Sequence, residues 1–568
     1  MSRAYDDIAV GNEVSTSNVT SAAQSQIEKK HGPEDKITIT ADLEDSGPPF
    51  NPGLRFYLAF SSLCVIILAA ALDATALSVA LPIIAQDLHG TAIEAFWTGT
   101  SFLLTSTVIQ PTFASISHIL GRKPSILVSV SCFAIGSLIC ALAHSFTVLL
   151  VGRTIQGIGG GGIVALTEVV ITDIVPLRER GTWFGFQTLI WAVGSVTGPL
   201  IGGSLAQYAS WRWIFWINLP ICGVGIVMTV LFLKLNKRSG NLLSHLRRFD
   251  FVGCVLLTGS VTSFLIPVSW GGVMFAWSSW HTLVPLVLGV LGIVGFLFYE
   301  NWVKEPLVPL GIFKRRTAMV NYIGTFTQGI IIWSIVYYIP LYYEGVKGYS
   351  PTIVGVAVFP ETFTIAPAAI AIGVAISKTG RFRWAIWAGW SITVLGMGVL
   401  YNLDQDTSIP AWIFMNIVAG IGLGMLYNSL AYATQSSVSQ DDVAFAAAMY
   451  TFMRSFGQAV GVAIGGVIFQ SQFRNKLSSY SSLASNYTEL ANDASGLVQV
   501  IRGLPDDDPE KLMIIHAYAD ALKVLWAVMA GLAGVAGLLS LGTEELSLEV
   551  KLGGEQGLRE DNRERTVA

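Results

Sequence analysis

The sequence predicts an all-helical protein that crosses a membrane many times. Of its 568 residues, 52% are hydrophobic and 13% are charged, which is about half the charged fraction of a soluble domain. The mean hydropathy is +0.58. Apolar stretches of about 20 residues, the length of a membrane-spanning helix, recur along the chain. These observations exclude an ordinary soluble enzyme.

Fourteen segments are long and apolar enough to cross a bilayer as helices. They lie at 56–81, 93–118, 124–143, 147–171, 183–206, 213–233, 251–270, 281–300, 317–343, 352–376, 384–401, 411–434, 444–470 and 520–541. The polar ends predict a disordered tail over 1–52 and a second tail over 542–568. The longest connection between predicted helices is 471–519.

The connections between the segments predict the orientation, because Lys and Arg are retained on the cytosolic side during insertion. One set of alternating connections holds sixteen of them, and the opposite short connections hold only Arg212 and Lys347. The sixteen are Arg122, Lys123, Arg178, Arg180, Lys234, Lys237, Arg238, Arg247, Arg248, Lys304, Lys314, Arg315, Arg316, Lys378, Arg381 and Arg383. We therefore expect both tails in the cytosol and 471–519 outside.

Several classes of protein are excluded by what the sequence contains. The net charge of −4 offers no basic face for nucleic acid. The five cysteines lie in apolar stretches without ligand spacing, so we expect neither a metal site nor disulfides. No phosphate-binding glycine loop is present, which argues against ATP-driven activity. We expect no cofactor.

An internal repeat indicates two related halves. Gly157 and Gly159 recur as Gly420 and Gly422, and Gly194, Gly198, Gly202 and Gly203 recur as Gly457, Gly461, Gly465 and Gly466, all at an offset of 263 residues. Repeated membrane units imply two bundles around a shared central site. With six helices in each, the bundles span 53–235 and 317–541, and 236–316 holds two inserted helices, the seventh and eighth.

Short motifs also mark the segments. They are Leu72, Asp73, Ala76 and Ala80-Leu81-Pro82 in the first, Gly121-Arg122-Lys123 after the second, Arg153, Gln156 and Gly157 in the fourth, Gly194, Gly198, Pro199, Gly202 and Gly203 in the fifth, and the run from Trp211-Arg212-Trp213 to Pro220. Together with fourteen spans, this set resembles the signatures of the major facilitator superfamily. The resemblance is to its fourteen-helix branch of drug:proton antiporters, of the fungal multidrug and toxin efflux type.

The resemblance implies a fold and a function. The fold is the major facilitator fold, with two six-helix bundles and two additional helices between them. The function is export of small hydrophobic or amphiphilic compounds, driven by a proton gradient, by a monomer in the plasma membrane. The glycine and proline motif of the fifth helix is then the antiporter motif that biases the protein to export, and tight packing is the alternative. A proton-coupled importer of a nutrient or siderophore-like compound and a non-transporting membrane sensor are the competing functions.

Four charged side chains lie deep within predicted spans, where each costs about 2.5–3.5 kcal/mol and usually faces a cavity or a partner. Asp73 and Arg153 lie at similar depths, about 12 and 9 Å from the outer helix ends. A pair between them would hold Asp73 ionised until a proton or a cationic substrate displaced the arginine. A static pair that only fixes the two helices is the alternative.

In the second half, Glu361 and Arg454 are both near the predicted midplane, about 15–16 Å deep. Glu361 follows Pro360, where a bent helix opens a polar pocket. We expect Glu361 to be a second proton or substrate site, with a simple buried pair to Arg454 as the alternative. Glu168 and Asp173 are expected at the membrane interface.

Polar and aromatic residues in the spans are candidates for the walls of a central cavity, although helix packing explains any one of them as well. They are Gln110, Gln187, Gln328, Asn416, Asn428, Gln458, Trp97, Trp191, Trp333, Tyr337, Tyr427 and Tyr450.

The loop of His118, Gly121, Arg122 and Lys123 is the predicted cytosolic gating loop. The resemblance implies an acid at the position of His118 that pairs with a base such as Arg178 or Arg180. A neutral or cationic histidine cannot form that pair. We expect an altered or pH-sensitive latch.

Asn486-Tyr487-Thr488 in the connection 471–519 matches the acceptor pattern for N-glycosylation and predicts a glycoprotein if that connection is outside. Chance occurrence of the pattern is the alternative.

Overall fold

The computed structural model describes residues 52–77, 80–89, 92–236, 249–272, 274–479, 498, 501, 503–505, 508–549 and 557. Asn486 and most of both tails lie outside these ranges. Within them the fold is helical, and an isolated bridge joins Gly271 and Phe275.

The helices fall into three groups along the chain, which we number α1 to α18. The first half contains α1 (Leu54–Ala76), α2 (Leu81–Asp87), α3 (Ala92–Val108), α4 (Gln110–Leu120), α5 (Arg122–Ala141), α6 (Phe146–Ile174), α7 (Arg180–Tyr208), α8 (Trp213–Trp216) and α9 (Asn218–Phe232). The middle pair, which was predicted as the inserted pair, is α10 (Phe251–Trp270) and α11 (Trp280–Glu300). The second half contains α12 (Arg316–Gly345), α13 (Pro351–Ala357), α14 (Phe359–Thr379), α15 (Arg383–Leu400), α16 (Ile409–Ser436), α17 (Val443–Ser478) and α18 (Pro509–Ser540).

Twelve helical segments in the described part of the chain are long and apolar enough to cross a membrane. The other two predicted segments are helical as well. The segment 93–118 is divided at Ile109 into α3 and α4, and 384–401 forms α15.

Several helix ends differ from the predicted ones, and prolines explain two of the differences. The first helix ends at Ala76, and the chain starts a new helix just before Pro82. The segment 352–376 is divided at Val358, two residues before Pro360. Proline lacks the amide hydrogen that would continue the preceding helix, but it suits the first turn of a new one.

The connection predicted over 471–519 is shorter than expected. Helix α17 continues to Ser478 and α18 already begins at Pro509. Asp508 caps the start of α18, since its side chain accepts a hydrogen bond from the backbone N–H of Glu510. The helical extensions are more polar than the spans, so hydropathy alone did not find them.

The glycine repeat corresponds to equivalent packing in the two halves. A Cβ atom on Gly159 would lie 2.3 Å from the backbone nitrogen of Phe133, and one on Gly422 would lie 2.6 Å from that of Thr393. Both contacts join a glycine-rich helix to the helix before it, α5 to α6 and α15 to α16. The absence of side chains at these positions lets the backbones approach closely.

The glycine motif of α7 packs on α1, the helix that carries Asp73. Cβ atoms on Gly194, Gly198 and Gly202 would lie 2.5, 2.1 and 2.2 Å from atoms of Ala71, Thr75 and Ala76. Pro199 lies within the continuous α7. This close approach fixes the C-terminal end of α1 and therefore the position of Asp73.

We expect Gly202→Ala to destabilise the protein, by about 1–3 kcal/mol, because the added methyl group would meet backbone atoms of Ala76 that cannot move aside. Gly223→Ala in α9 is the matched control, since nothing lies within 4 Å of a Cβ there. The thermal unfolding midpoint of the purified protein, followed by tryptophan fluorescence, checks this. Equal midpoints for the two variants would contradict the close contact.

Candidate functional site

Asp73 and Arg153 form a buried ion pair between α1 and α6. Arg153 Nη1 lies 2.5 Å from Asp73 Oδ2, and the two side chains are 1% and 0% exposed. The predicted proximity of these two residues is confirmed. Asp73 lies only three residues before the end of its helix, closer to that end than expected.

Neighbouring polar groups hold the pair in place. Gln156 and Asn218 each donate a hydrogen bond of 2.8 Å to Asp73 Oδ1. Arg153 donates to the side chain of Gln156 at 2.6 Å and to the carbonyl of Thr98 at 3.0 Å. Buried charges require such partners. Gln156 and Asn218 belong to the motifs noted in the sequence.

The ring of Phe102 covers the guanidinium of Arg153, with its centroid 4.4 Å from the Cζ atom. A small cavity beside the pair is lined by Leu72, Asp73, Ile201 and Asn218. Its open volume is about 10 Å³, the space of about one water molecule.

Glu361 is a second buried carboxyl group, 1% exposed, in the first turn of α14. Its Oε1 atom has no hydrogen-bond partner among the residues that the structure describes. It packs beside α16, where a Cβ on Gly420 would lie 2.8 Å from its carbonyl oxygen. Because the helix is interrupted at Val358, before Pro360, the first turn of α14 lies within the predicted membrane span.

Arg454 pairs with Glu168, so the alternative of a pair between Glu361 and Arg454 is wrong. Arg454 Nη2 lies 3.0 Å from Glu168 Oε1, and the side chains are 6% and 4% exposed. Thr451 Oγ1 donates to the other carboxylate oxygen at 2.6 Å. The pair joins α6 of the first half to α17 of the second.

Glu168 and Asp173, which were expected at the membrane interface, are both buried within the protein. Glu168 is 3% exposed and Asp173 is 9% exposed. Both lie on α6, which continues to Ile174 rather than ending at 171. In the sequence they are the only charged residues between Ile163 and Ile174, which could have indicated buried, paired positions. The pairing of Glu168 with the other half cannot be predicted from one segment.

Two tyrosine rings surround Arg454 on the side of the second half. Its Cζ atom lies 4.1 Å from the ring centroid of Tyr427 and 4.8 Å from that of Tyr450. Arg454 Nη1 also donates to the Tyr450 hydroxyl at 3.0 Å. Both tyrosines were candidates for cavity walls.

The end of the helices that carries Arg122, Arg178 and Arg381 is called here the basic end. Arg122 donates to Asp173 at 2.8 Å and to the hydroxyl of Ser117 at 2.7 Å. Gly121, at the turn between α4 and α5, has a φ of 98°, a region that favours glycine. Of the other predicted gating residues, Lys123 donates to the carbonyl of Val230 at 2.8 Å.

His118 contacts the second half, since its ring centroid lies 5.1 Å from that of Phe445. No acid at this position meets Arg178 or Arg180. Arg178 instead pairs with Glu549. Arg180 donates to Gln435 at 3.1 Å and to the carbonyls of Val175 and Thr172.

The segment after α18, residues 543–549, lies across the basic end, and we call it the C-terminal strap. Glu545 accepts a hydrogen bond of 2.8 Å from the backbone N–H of Phe382. The backbone N–H of Glu544 donates to Thr317 at 3.0 Å, and Leu548 is 2% exposed. The strap thus anchors to the second half and reaches Arg178 of the first. The sequence predicted a tail over 542–568, and the strap is a part of it that packs against the helices.

Further hydrogen bonds join the halves near the basic end. Tyr432 of α16 donates to the carbonyl of Arg178 at 2.8 Å and accepts from the N–H of Gly181 at 2.8 Å. Asn428 donates to the carbonyl of Gly181 at 2.8 Å. Deeper in, Gln110 donates to Ser455 at 3.0 Å. The basic end is closed.

Two repeated groups of helices, with buried ion pairs within and between them, define a polytopic membrane transporter. The profile of the Major Facilitator Superfamily matches residues 63–462. The chain belongs to this superfamily of transporters.

Similar proteins cover nearly the whole chain. MFS transporter L2 of Phoma sp. is 52% identical over 524 residues, which cover 92% of this chain and 88% of that protein. Efflux pump FUS6 of Gibberella fujikuroi is 37% identical, with 90% and 93% covered. MFS-type efflux pump MMF1 of Mycosarcoma maydis is 36% identical, with 91% and 84% covered.

A solved structure supports the fold. The crystal structure of the human organic anion transporter MFSD10 matches with a TM-score of 0.52 and 15% identity, and the match covers 86% of this chain and 100% of that one.

We expect Glu545→Ala to loosen the strap, because the backbone N–H of Phe382 loses its acceptor. Hydrogen–deuterium exchange around Phe382 should then be at least about fivefold faster. Glu544→Ala is the matched control, since Glu544 contacts Thr317 through its backbone. Unchanged exchange in Glu545→Ala would show that the strap does not protect this loop.

Proposed function

We propose that the protein exports small hydrophobic or amphiphilic compounds, such as drugs, toxins and secondary metabolites, in exchange for protons. It is a transporter rather than an enzyme. Membership of the superfamily supports transport, and relatives named efflux pumps support the direction. The buried Asp73–Arg153 pair is the observation that carries proton coupling. The proton gradient is the energy source, and no cofactor is required.

The proposed membrane arrangement has fourteen spans. Helices α3 with α4, and α15, add the two spans that complete this number. The bundles comprise 53–235 and 317–541, with the inserted pair within 236–316. The basic end faces the cytosol, because positive loops are retained there. The protein then works as a monomer in the plasma membrane, with both termini inside.

The proposed cycle alternates between two arrangements of the halves. The closed basic end, with contacts from Tyr432 and Asn428 to the loop before α7, corresponds to a state shut toward the cytosol. Its opening separates the halves there and admits substrate from the cytosol or the inner leaflet. The glycine face of α7 against α1 lets these helices move as one body.

Asp73 is the proposed proton carrier. In the ionised state it holds Arg153, Gln156 and Asn218. Protonation removes the charge that attracts Arg153, so the pair weakens and the helices α1 and α6 change their relative position. Release of the proton restores the pair, which links proton movement to the state of the transporter.

Glu361 is the proposed second proton site. Its buried carboxyl group has no cationic partner among the described residues, unlike the carboxylate of Asp73. Glu361 lies beside α16 in the second half, whereas Asp73 lies in the first half, so each half has one proposed proton site.

A proton-coupled importer uses the same fold. The relatives named efflux pumps and the glycine motif of α7 favour export. A non-transporting sensor would have no use for a proton-carrying pair.

We expect Asp73→Asn to abolish proton-driven export while the protein still reaches the cell surface, because a neutral amide cannot exchange a proton. Accumulation of a panel of labelled toxins in a host expressing each variant, with and without an uncoupler, checks this. Asp87→Asn is the matched control. Asp87 is half-exposed and pairs with Arg212 at 2.9 Å, and hydrogen bonds from Trp211 and Arg212 lower its pKa.

Normal export by Asp73→Asn would refute the role of Asp73. Export that an uncoupler leaves unchanged would refute proton coupling altogether.

We expect Glu361→Gln to lower the number of protons exchanged for each substrate molecule without abolishing substrate binding, because the amide retains the shape of the neutral acid. Proton uptake and substrate flux, measured together in proteoliposomes, give this ratio. A ratio equal to that of the wild type would exclude Glu361 as a proton site.

A further inference from the structure

Arg454 lies at the contact between the halves, with partners from both. The carboxylate of Glu168, 3.0 Å away, comes from the first half. The rings of Tyr427 and Tyr450 come from the second half, as Arg454 does. Separation of the halves removes the carboxylate and leaves the two tyrosines in place.

Glu168 is held by the second half. Its two oxygens accept hydrogen bonds from Arg454 and from Thr451, which are both on α17. It therefore occupies a site built by α17 and α16, as a bound carboxylate would. The carboxylate thus comes from the first half, and the residues that bind it come from the second half.

A guanidinium that loses its counter-ion inside a membrane protein is costly, so opening of the basic end requires a replacement for Glu168. A carboxylate matches the fork of the guanidinium, and an aromatic body suits the tyrosine rings.

We propose that Arg454, Tyr427 and Tyr450 bind the acidic group of an amphiphilic aromatic substrate, and that Glu168 occupies this site while the basic end is closed. The proposal rests on the proposed function and narrows the substrate class to organic anions. One carboxylate replaces another, so no bond is made or broken. Outward movement of an anion and inward movement of a proton are both favoured by a membrane potential that is negative inside.

Binding of three matched probes to the full-length protein in nanodiscs tests the proposal. The probes are 1-pyrenebutyric acid, 1-pyrenebutanol and 1-pyrenebutylamine, which share one aromatic body and differ in charge. Energy transfer from protein tryptophans to pyrene reports binding. The acid should bind at least about tenfold more tightly than the alcohol or the amine, the effect expected of a charge-assisted hydrogen bond.

Two variants separate a binding role from a structural one. Arg454→Gln should remove the preference for the acid and leave the affinity for the alcohol within about twofold. Glu168→Gln should raise the affinity for the acid, because the internal competitor has lost its charge. A purely structural role would change the affinities for all three probes together.

Arg212→Gln is the matched control. Arg212 also pairs with a carboxylate, that of Asp87 at 2.9 Å, and its Cζ atom lies 4.3 Å from a ring centroid of Trp211. It lies at the opposite end of the helices, so its loss should leave the preference unchanged.

Equal affinities for the three probes in the wild type, or a preference that persists in Arg454→Gln, would overturn the proposal. If Arg454→Gln fails to fold, Glu168→Gln decides, and an unchanged affinity for the acid overturns it. Binding needs no gradient, so the result is independent of the uncoupler experiment. If the uncoupler leaves export unchanged, antiport is refuted. The substrate class measured by probe binding is unaffected by that result.

Discussion

The organisation of the transporter depends on the three buried charges of α6, because a charge inside a membrane protein must meet an opposite one. Arg153 pairs with Asp73 of α1, Glu168 with Arg454 of α17, and Asp173 with Arg122 at the start of α5. Each pair joins α6 to a different helix. The side chains of all three pairs are almost completely removed from solvent, so breaking one pair without compensation costs about 3–5 kcal/mol. One helix therefore fixes the arrangement of the first half and its contact with the second.

The same helix connects the proposed proton site with the proposed substrate site. Arg153 and Glu168 are fifteen residues apart, which is about 22 Å along a helix. In the proposed cycle, α6 moves as one rigid element. The Asp73–Arg153 pair and the Glu168–Arg454 pair therefore change together. A proton near one end of α6 and an organic anion near the other then each shift the equilibrium between the two positions of this helix. The two binding events are coupled because they act on the same equilibrium.

The sequence predicted some of this site and missed the rest for physical reasons. The pair of Asp73 and Arg153 was predictable, because both charges are deep in apolar segments at similar depths. The pair of Glu168 and Arg454 was not, because hydropathy gives the depth of a residue but not its neighbours across two bundles. The glycine repeat predicted two related halves, and its positions in α6 and α16 pack alike on the preceding helices. A bend at Pro360 was expected, but the complete breaks at Val358 and before Pro82 were missed because hydropathy continues through them. The extensions of α17 and α18 were missed because polar residues end an apolar run before they end a helix.

The C-terminal strap has a consequence for how the molecule is made. The residues that Glu545 and Glu549 contact, Phe382 and Arg178, leave the ribosome long before the strap is synthesised. The earlier helices are thus inserted while the basic end still lacks its final covering, and Arg178 has no Glu549 to meet. A chain that stops before Glu545 would therefore have its helices in place while the basic end lacks the contacts to Phe382 and Arg178.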